Sequence, residues 1–194
     1  MSDTVRRIEG SAFTGCIRLS YVRLSRNLEY IGDSAFCNCE SLTSIFIPPS
    51  CREIDDYAFE NCQKLIIFHV PQHTELGEHV IEDTALIRAS PFATNNNGYY
   101  DNYEEVNEWI KNRHASDNQF SLHRACSSFN PLDEVILEII KRHGVGTFKE
   151  PDSVGVTPSQ YLSENPYTEI KEHKIIKRYI LDMVGEVAFN GVRV

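Results

Sequence analysis

No apolar run in this chain approaches the roughly 18 residues needed to cross a bilayer, so no membrane-spanning helix is expected. The opening Met1-Ser2-Asp3-Thr4-Val5-Arg6-Arg7 turns polar and basic with no apolar stretch behind it, and it does not read as a secretory leader. There is no Asn-x-Ser/Thr sequon. Basic residues are in deficit: 19 Lys and Arg stand against 28 Asp and Glu, and the deficit runs through both halves. Phosphate neutralisation needs clustered Lys and Arg, so neither nucleic acid nor an anionic membrane surface is an expected partner. Gly-x-Ser-x-Gly, a P-loop and His-Glu-x-x-His are all missing, and Gly144-Val145-Gly146 is too short to cradle a phosphate. Nothing assembles a nucleophile, a base and an orienting group. An enzyme is therefore not expected, and no cofactor is implied.

Six cysteines are present: Cys16, Cys37, Cys39, Cys51, Cys62 and Cys126. A chain of 194 residues with 41% hydrophobic content can build a core without disulfide staples. Reduced thiols in an intracellular, cytoplasmic protein are the expectation. Cys37-x-Cys39 is too tight for a zinc knuckle. His69 and His73 have Pro71 between them, so no helix aligns them. If a metal were held, Cys37, Cys39, Cys51 and His69 would be the candidate ligands, but a buried thiol column is the simpler reading.

What the chain does contain is a repeat. Ile8–Leu24, Ile31–Ile47 and Ile54–Val70 share the pattern I-x-x-x-A-F-x-x-C-x-x-L-x-x-[IVF]-x-[LIV], and their starts lie 23 residues apart both times. A fourth, degenerate copy begins near Leu76, with Val80-Ile81 in place of Ala-Phe. One such coil cannot bury its apolar face alone, so neighbours must stack and cover it. Phe13, Phe36 and Phe59 form one predicted column, each preceded by a small alanine. Val22, Ile45 and Phe68 form another, while Cys16, Cys39 and Cys62 form a third. Pro48 and Pro71 close the strands they follow.

These residues resemble the BspA-type leucine-rich repeats: the Ala-Phe pair, the Cys three residues on, and the Leu-x-x-Ile-x-Ile-Pro strand, over about residues 5–90. The resemblance implies a curved solenoid with a parallel sheet on its concave side, and an adhesion or interaction module rather than a catalyst. The first coil has no evident cap. Either Met1–Arg7 serves as one, or the chain self-associates there, or the solenoid is part of a longer design.

From Phe92 the period is lost. Asn95-Asn96-Asn97-Gly98 reads as a linker, and Tyr103–Arg113 as a helix whose apolar stripe includes Val106, Trp109 and Ile110. A second helix is predicted from about Pro131 to His143, ending at Gly144, and a last one over about Thr168–Val184 with Lys171, Lys174, Lys177 and Arg178 on its polar side. Leu122-His123-Arg124-Ala125 and Gly155-Val156-Thr157-Pro158 resemble the two halves of the ankyrin signature. Corresponding positions lie about 37 residues apart, against about 33 for a regular ankyrin repeat. The resemblance makes residues 118–185 ankyrin-like and gives His123 a structural role. The expected organisation is a leucine-rich-repeat solenoid at 1–92, a linker and helix at 93–117, and an all-α ankyrin-like segment at 118–194.

Alternation along the strands places Leu42, Ile45 and Ile47 in the core. It turns Tyr21, Arg23, Ser44, Phe46, Ile67 and His69 outward. Aromatics and Arg dominate interface hot spots, so this row is the candidate site for a protein partner. The competing readings are a row covered by the helical half, or scattered surface apolarity. The functional alternatives are a cell-surface adhesion protein of the BspA kind and, behind it, a metal protein or enzyme.

Overall fold

The computed structural model describes residues 1–93, 98–114, 121–128 and 133–167. The predicted helix over about 168–184, its basic side, the Asn95–Asn97 linker and Pro131 lie outside these residues. Two compact units emerge. The first is Met1–Arg113 with Ser153–Gly155, and the second is His114–Asp152 together with the chain from Val156 onward.

The first unit is the coil stack that the period demands. Two-residue strands β1 (Arg7–Ile8), β2 (Tyr30–Ile31), β4 (Glu53–Ile54) and β6 (Glu75–Leu76) form a parallel ladder in the order β1-β2-β4-β6. A second parallel ladder joins β3 (Ser44–Phe46) to β5 (Ile67–His69). One parallel sheet, on the Leu-x-x-Ile side, was expected. The wider ladder instead runs through the isoleucines that open each repeat. Register there is Ile8↔Ile31 and Ile31↔Ile54, then Ile54↔Leu76, so the third coil is one residue shorter than its predecessors.

Each coil turns its corners with left-handed residues at matching places. Ser11, Ser34, Tyr57 and His79 form one such column, and Gly15, Asn38, Asn61 and Asp83 the other. Glycine, Asn and Asp are the residues that tolerate this conformation best, which explains the composition of the second column. Gly32 answers a different need. A Cβ there would stand 2.6 Å from the Gly10 backbone nitrogen, so the coils can approach closely only without one.

The core follows the predicted columns. Phe36 is stacked between Phe13 and Phe59, with ring centroids 5.0 and 5.1 Å apart. The small residue beside each ring brings backbones together: the Phe13 amide donates to Ala35 O and the Phe36 amide to Ala58 O, both at 2.8 Å. Cys39 and Cys62 lie buried, and each thiol reaches the carbonyl of the phenylalanine one coil earlier, Phe13 at 3.3 Å and Phe36 at 3.2 Å. Ile81 takes the Phe place in the fourth coil. There a short helix α1 (Ala85–Arg88) begins, with Thr84 as its N-cap.

Helix α2 (Tyr103–Asn112) closes that end of the stack. Asn102 caps its N-terminus, accepting from the Glu105 amide. Its buried face is Val106, Asn107 and Ile110, and Trp109 is half-buried with its ring edge-on to Phe92. Asn107 matters most. Its Nδ2 donates to Leu76 O at 3.2 Å and Gly77 O at 3.0 Å. The Ile54 carbonyl in the coil before accepts the Gly77 amide at 2.8 Å; at Leu76 the helix side chain takes the place of such a partner, and a buried unpaired carbonyl is costly. One amide side chain supplies both bonds.

The second unit holds helices α3 (Ser121–Ser127), α4 (Asp133–His143) and α5 (Pro158–Glu164), with a 3₁₀ turn at Val145–Lys149. Gly144 ends α4 as expected: its φ is 91°, and its amide donates to Ile140 O at 2.7 Å. Thr157 and Gln160 form a reciprocal capping box at the start of α5, with Pro158 in the first turn. Asn165 ties the end of α3 down by donating to Cys126 O and Ser128 O.

Candidate partner-binding face

The outward row predicted for the β3–β5 side is not uniformly open. Tyr21 is 52% exposed, and Arg23 and His69 are partly exposed. Ser44, Phe46 and Ile67 are buried, at 3%, 2% and 2%. The expectation of six outward side chains is therefore corrected for these three. The reason is local: Ser44-Ile-Phe-Ile47 and Leu65-Ile-Ile-Phe-His-Val70 are near-continuous apolar runs, as in strands covered on both faces, so period two cannot assign a wet side. Helix α2 packs beside β5. The Phe46 ring leans on His69, with centroids 6.1 Å apart. The predicted core members Leu42, Ile45 and Ile47 are buried as expected.

Arg23 is anchored from the N-terminus. Its guanidinium donates to Met1 O at 3.3 Å and pairs with the Asp3 carboxylate at 3.2 Å. Asp3 in turn accepts the Arg26 amide at 2.9 Å. The amide and then the guanidinium hold the Asp3 carboxyl below its usual range. Residues 1–5 thus form the corner that leads into coil one, and they fix Arg23 beside Tyr21.

The remaining titratable clusters are structural in character. His79 stacks on Tyr57 and Tyr100, at 5.5 and 5.6 Å, and its Nδ1 lies 3.3 Å from the buried Glu82 carboxylate. Burial raises the Glu82 carboxyl, and His79 opposes that. In the second unit Asp152 is a hub. Its Oδ2 accepts from Tyr161 OH at 2.8 Å and lies 2.9 Å from His114 Nε2, while Oδ1 accepts from the Val156 amide at 3.0 Å. The buried His123 packs against both His114 and Tyr161, at 5.6 and 6.1 Å. Sequence reasoning found His123 but missed Asp152, whose Asp-Ser-Val-Gly setting reads as an ordinary turn. Among the described residues, no three His, Cys, Asp or Glu side chains converge as metal ligands.

A stack of 23-residue coils with an Ala-Phe corner and a thiol column is the architecture of one repeat family. Residues 1–103 match the model of the BspA type leucine-rich repeat region (6 copies). The chain belongs to the BspA-type leucine-rich repeat family. No curated protein matches it. A leucine-rich repeat protein of T. pallidum shares 34% identity over 40% of this chain and 37% of its own, with a TM-score of 0.38. One from Bacteroides ovatus ATCC 8483 shares 22% identity over 42% and 33%, with a TM-score of 0.25. The chain thus spans about a third of the length of either. Among the described residues, no helix of this BspA-type protein is long and apolar enough to cross a membrane.

All six cysteines of this BspA-type chain are free, and Cys16 alone is exposed. Burial, and next the Glu60 carboxylate, push the Cys37 thiol up to about 11, and burial pushes Cys51 up to about 12. The Cys39 sulfur and burial raise Cys62, and burial raises Cys126. Thiolates are the reactive species, so groups raised this far stay protonated and inert at neutral pH. Cys39 differs, since its hydrogen bond with Cys62 lowers it, and only its complete burial keeps reagent away. With a chromogenic aromatic disulfide reagent, one thiol per native chain should react within minutes and the other five only after denaturant. Cys16→Ser should abolish the fast phase. Two or more fast thiols in the native protein would contradict this.

Proposed function

We propose that this chain is a non-enzymatic protein-interaction module working inside the cell, and that its partner docks where Tyr21, Arg23 and His69 are accessible. Ser44, Phe46 and Ile67 support that surface from beneath. The observation that carries the reading is Tyr21, an aromatic more than half exposed beside an Arg whose guanidinium is already held in place. An immobilised Tyr–Arg pair meets a partner with little further entropy cost, and these residue types carry most binding energy at interfaces. Six free thiols favour a reducing compartment.

The helical segment 118–185 is read as ankyrin-like, an added interaction surface. Thr157-Pro158 opening α5 behind a capping box and the packing of α3 against α5 support this. Adhesion at a cell surface is the competing role.

The test is affinity capture from lysate of the native organism, with wild type beside Tyr21→Asp/Arg23→Glu, both verified as folded by circular dichroism. One or a few proteins should be retained by wild type and lost at least tenfold with the variant. Equal retention by both would overturn this site. Binding to intact cell surfaces, with nothing from cytosol, would favour adhesion.

A further inference from the structure

An aromatic stack inside the coil ladder stops short of its last possible neighbour. The left-handed column runs Ser34, Tyr57, His79 through coils two, three and four. The Tyr57 ring lies on His79, with centroids 5.5 Å apart and planes 12° from parallel, and His79 lies on Tyr100 at 5.6 Å. In coil two the column holds Ser34, which has no ring to continue the stack. Tyr57 is partly exposed, and among the described residues no guanidinium and no ring other than His79 lies on it.

Carboxylates surround that ring. Asp33, Asp56 and Glu78 stand directly before Ser34, Tyr57 and His79 in their coils, and Glu60 follows Tyr57 by three residues. All four reach solvent. Among the described residues, no Lys, Arg or His forms an ion pair with any of them. Their charge converges on the Tyr57 hydroxyl, which is raised by burial and then by Glu78, Asp56, Glu82 and Glu60. Glu78 is also the main cause that raises the hydroxyl of Tyr103 on α2.

The same ladder shows what such a ring accepts. The Arg7 guanidinium lies over Tyr30, 3.9 Å from the ring centre, and the Tyr30 hydroxyl donates to Asp55 at 2.9 Å. A planar guanidinium on a tyrosine beside carboxylates combines cation–π and charge attraction, and a lysine ammonium cannot stack in that way. Around Tyr57 the chain supplies the ring and the carboxylates but no cation.

We propose that the Tyr57 surface binds an arginine in a basic segment of a partner protein, the guanidinium stacking on Tyr57 among the carboxylates of Asp56, Glu60 and Glu78. This rests on reading the chain as an interaction module, but not on Tyr21 and Arg23. Those residues belong to the β3–β5 side and Tyr57 to the β2-β4-β6 side, so either surface can fail without the other.

Fluorescence anisotropy tests it with a labelled octapeptide of alternating glycine and arginine, at low salt because exposed charges are screened. The wild-type chain should bind this peptide at least tenfold more tightly than its uncharged citrulline counterpart, and at least threefold more tightly than its lysine counterpart. Tyr57→Leu removes the ring and no charge, and should weaken binding at least fivefold, while Tyr57→Phe keeps the ring and should stay within twofold. Glu78→Gln should also weaken binding at least fivefold. Glu40→Gln removes the same charge from an exposed position off this column and should stay within twofold. Trp109 fluorescence verifies folding, and should Tyr57→Leu misfold, Glu78→Gln against Glu40→Gln decides. Failure of the arginine peptide to bind overturns the proposal, and so does a folded Tyr57→Leu that binds like wild type. Equal losses in Glu40→Gln and Glu78→Gln also overturn it, because they would mark attraction to net charge alone.

Discussion

Phe36→Ala should lower the stability of the coil stack by about 3–5 kcal/mol, near the top of that range. Phe36 is fully buried in the middle coil, and its ring is sandwiched between Phe13 and Phe59. Truncation removes the transfer energy of the ring, leaves a cavity in a rigid ladder and breaks two stacked contacts at once. The ladder cannot collapse to fill the gap, because the backbones on both sides are fixed by the Phe13-to-Ala35 and Phe36-to-Ala58 bonds. A domain is stable by only about 5–15 kcal/mol in all, so the loss is a large share. The measurement is urea unfolding followed by fluorescence of Trp109, the only tryptophan, which rides on α2 within the same unit. Phe36→Leu keeps most of the volume and should cost clearly less. A Phe36→Ala loss under about 1 kcal/mol would mean the column does not carry the core.

Asp152→Ala should rank beside it. The Asp152 carboxylate is almost fully shielded from water and serves Tyr161 OH, His114 Nε2 and the Val156 amide. Removing it strands donors in a site where they cannot recruit water. Breaking such a buried pair costs about 3–5 kcal/mol, against about 1 kcal/mol for an average hydrogen bond. Asp152→Asn keeps the shape and one acceptor oxygen, so it should lose about half as much. The loss is read as an earlier denaturant midpoint in helical circular dichroism. If Asp152→Ala and Asp152→Asn behave alike, the shape and the single acceptor oxygen that Asn keeps contribute nothing, and the loss belongs to the charged carboxylate.

Legibility followed periodicity. The 23-residue repeat named the columns of Ile8, Ile31 and Ile54, of the three phenylalanines and of the thiols. Any residue that recurs at fixed spacing in a stack must meet its own copies. The start of the fourth copy near Leu76, 22 residues after Ile54, was legible too, and Ile54 pairs with Leu76. Sidedness was readable at Ile45 and unreadable at Phe46, because alternation carries information only when one face is wet. Asn107 and Asp152 were missed for a different reason. Asn107 acts on carbonyls 30 and 31 residues away, and Asp152 meets His114 across 38 residues. A lone polar residue announces nothing about distant partners.

Asn107 makes the stack's last ladder position behave as a single latch. Inner coils are held by backbone bonds to the coil on each side, whereas Leu76 and Gly77 are held from outside by one side-chain amide. Both of those bonds break together when that side chain leaves, so the ladder opens there in one step and not bond by bond.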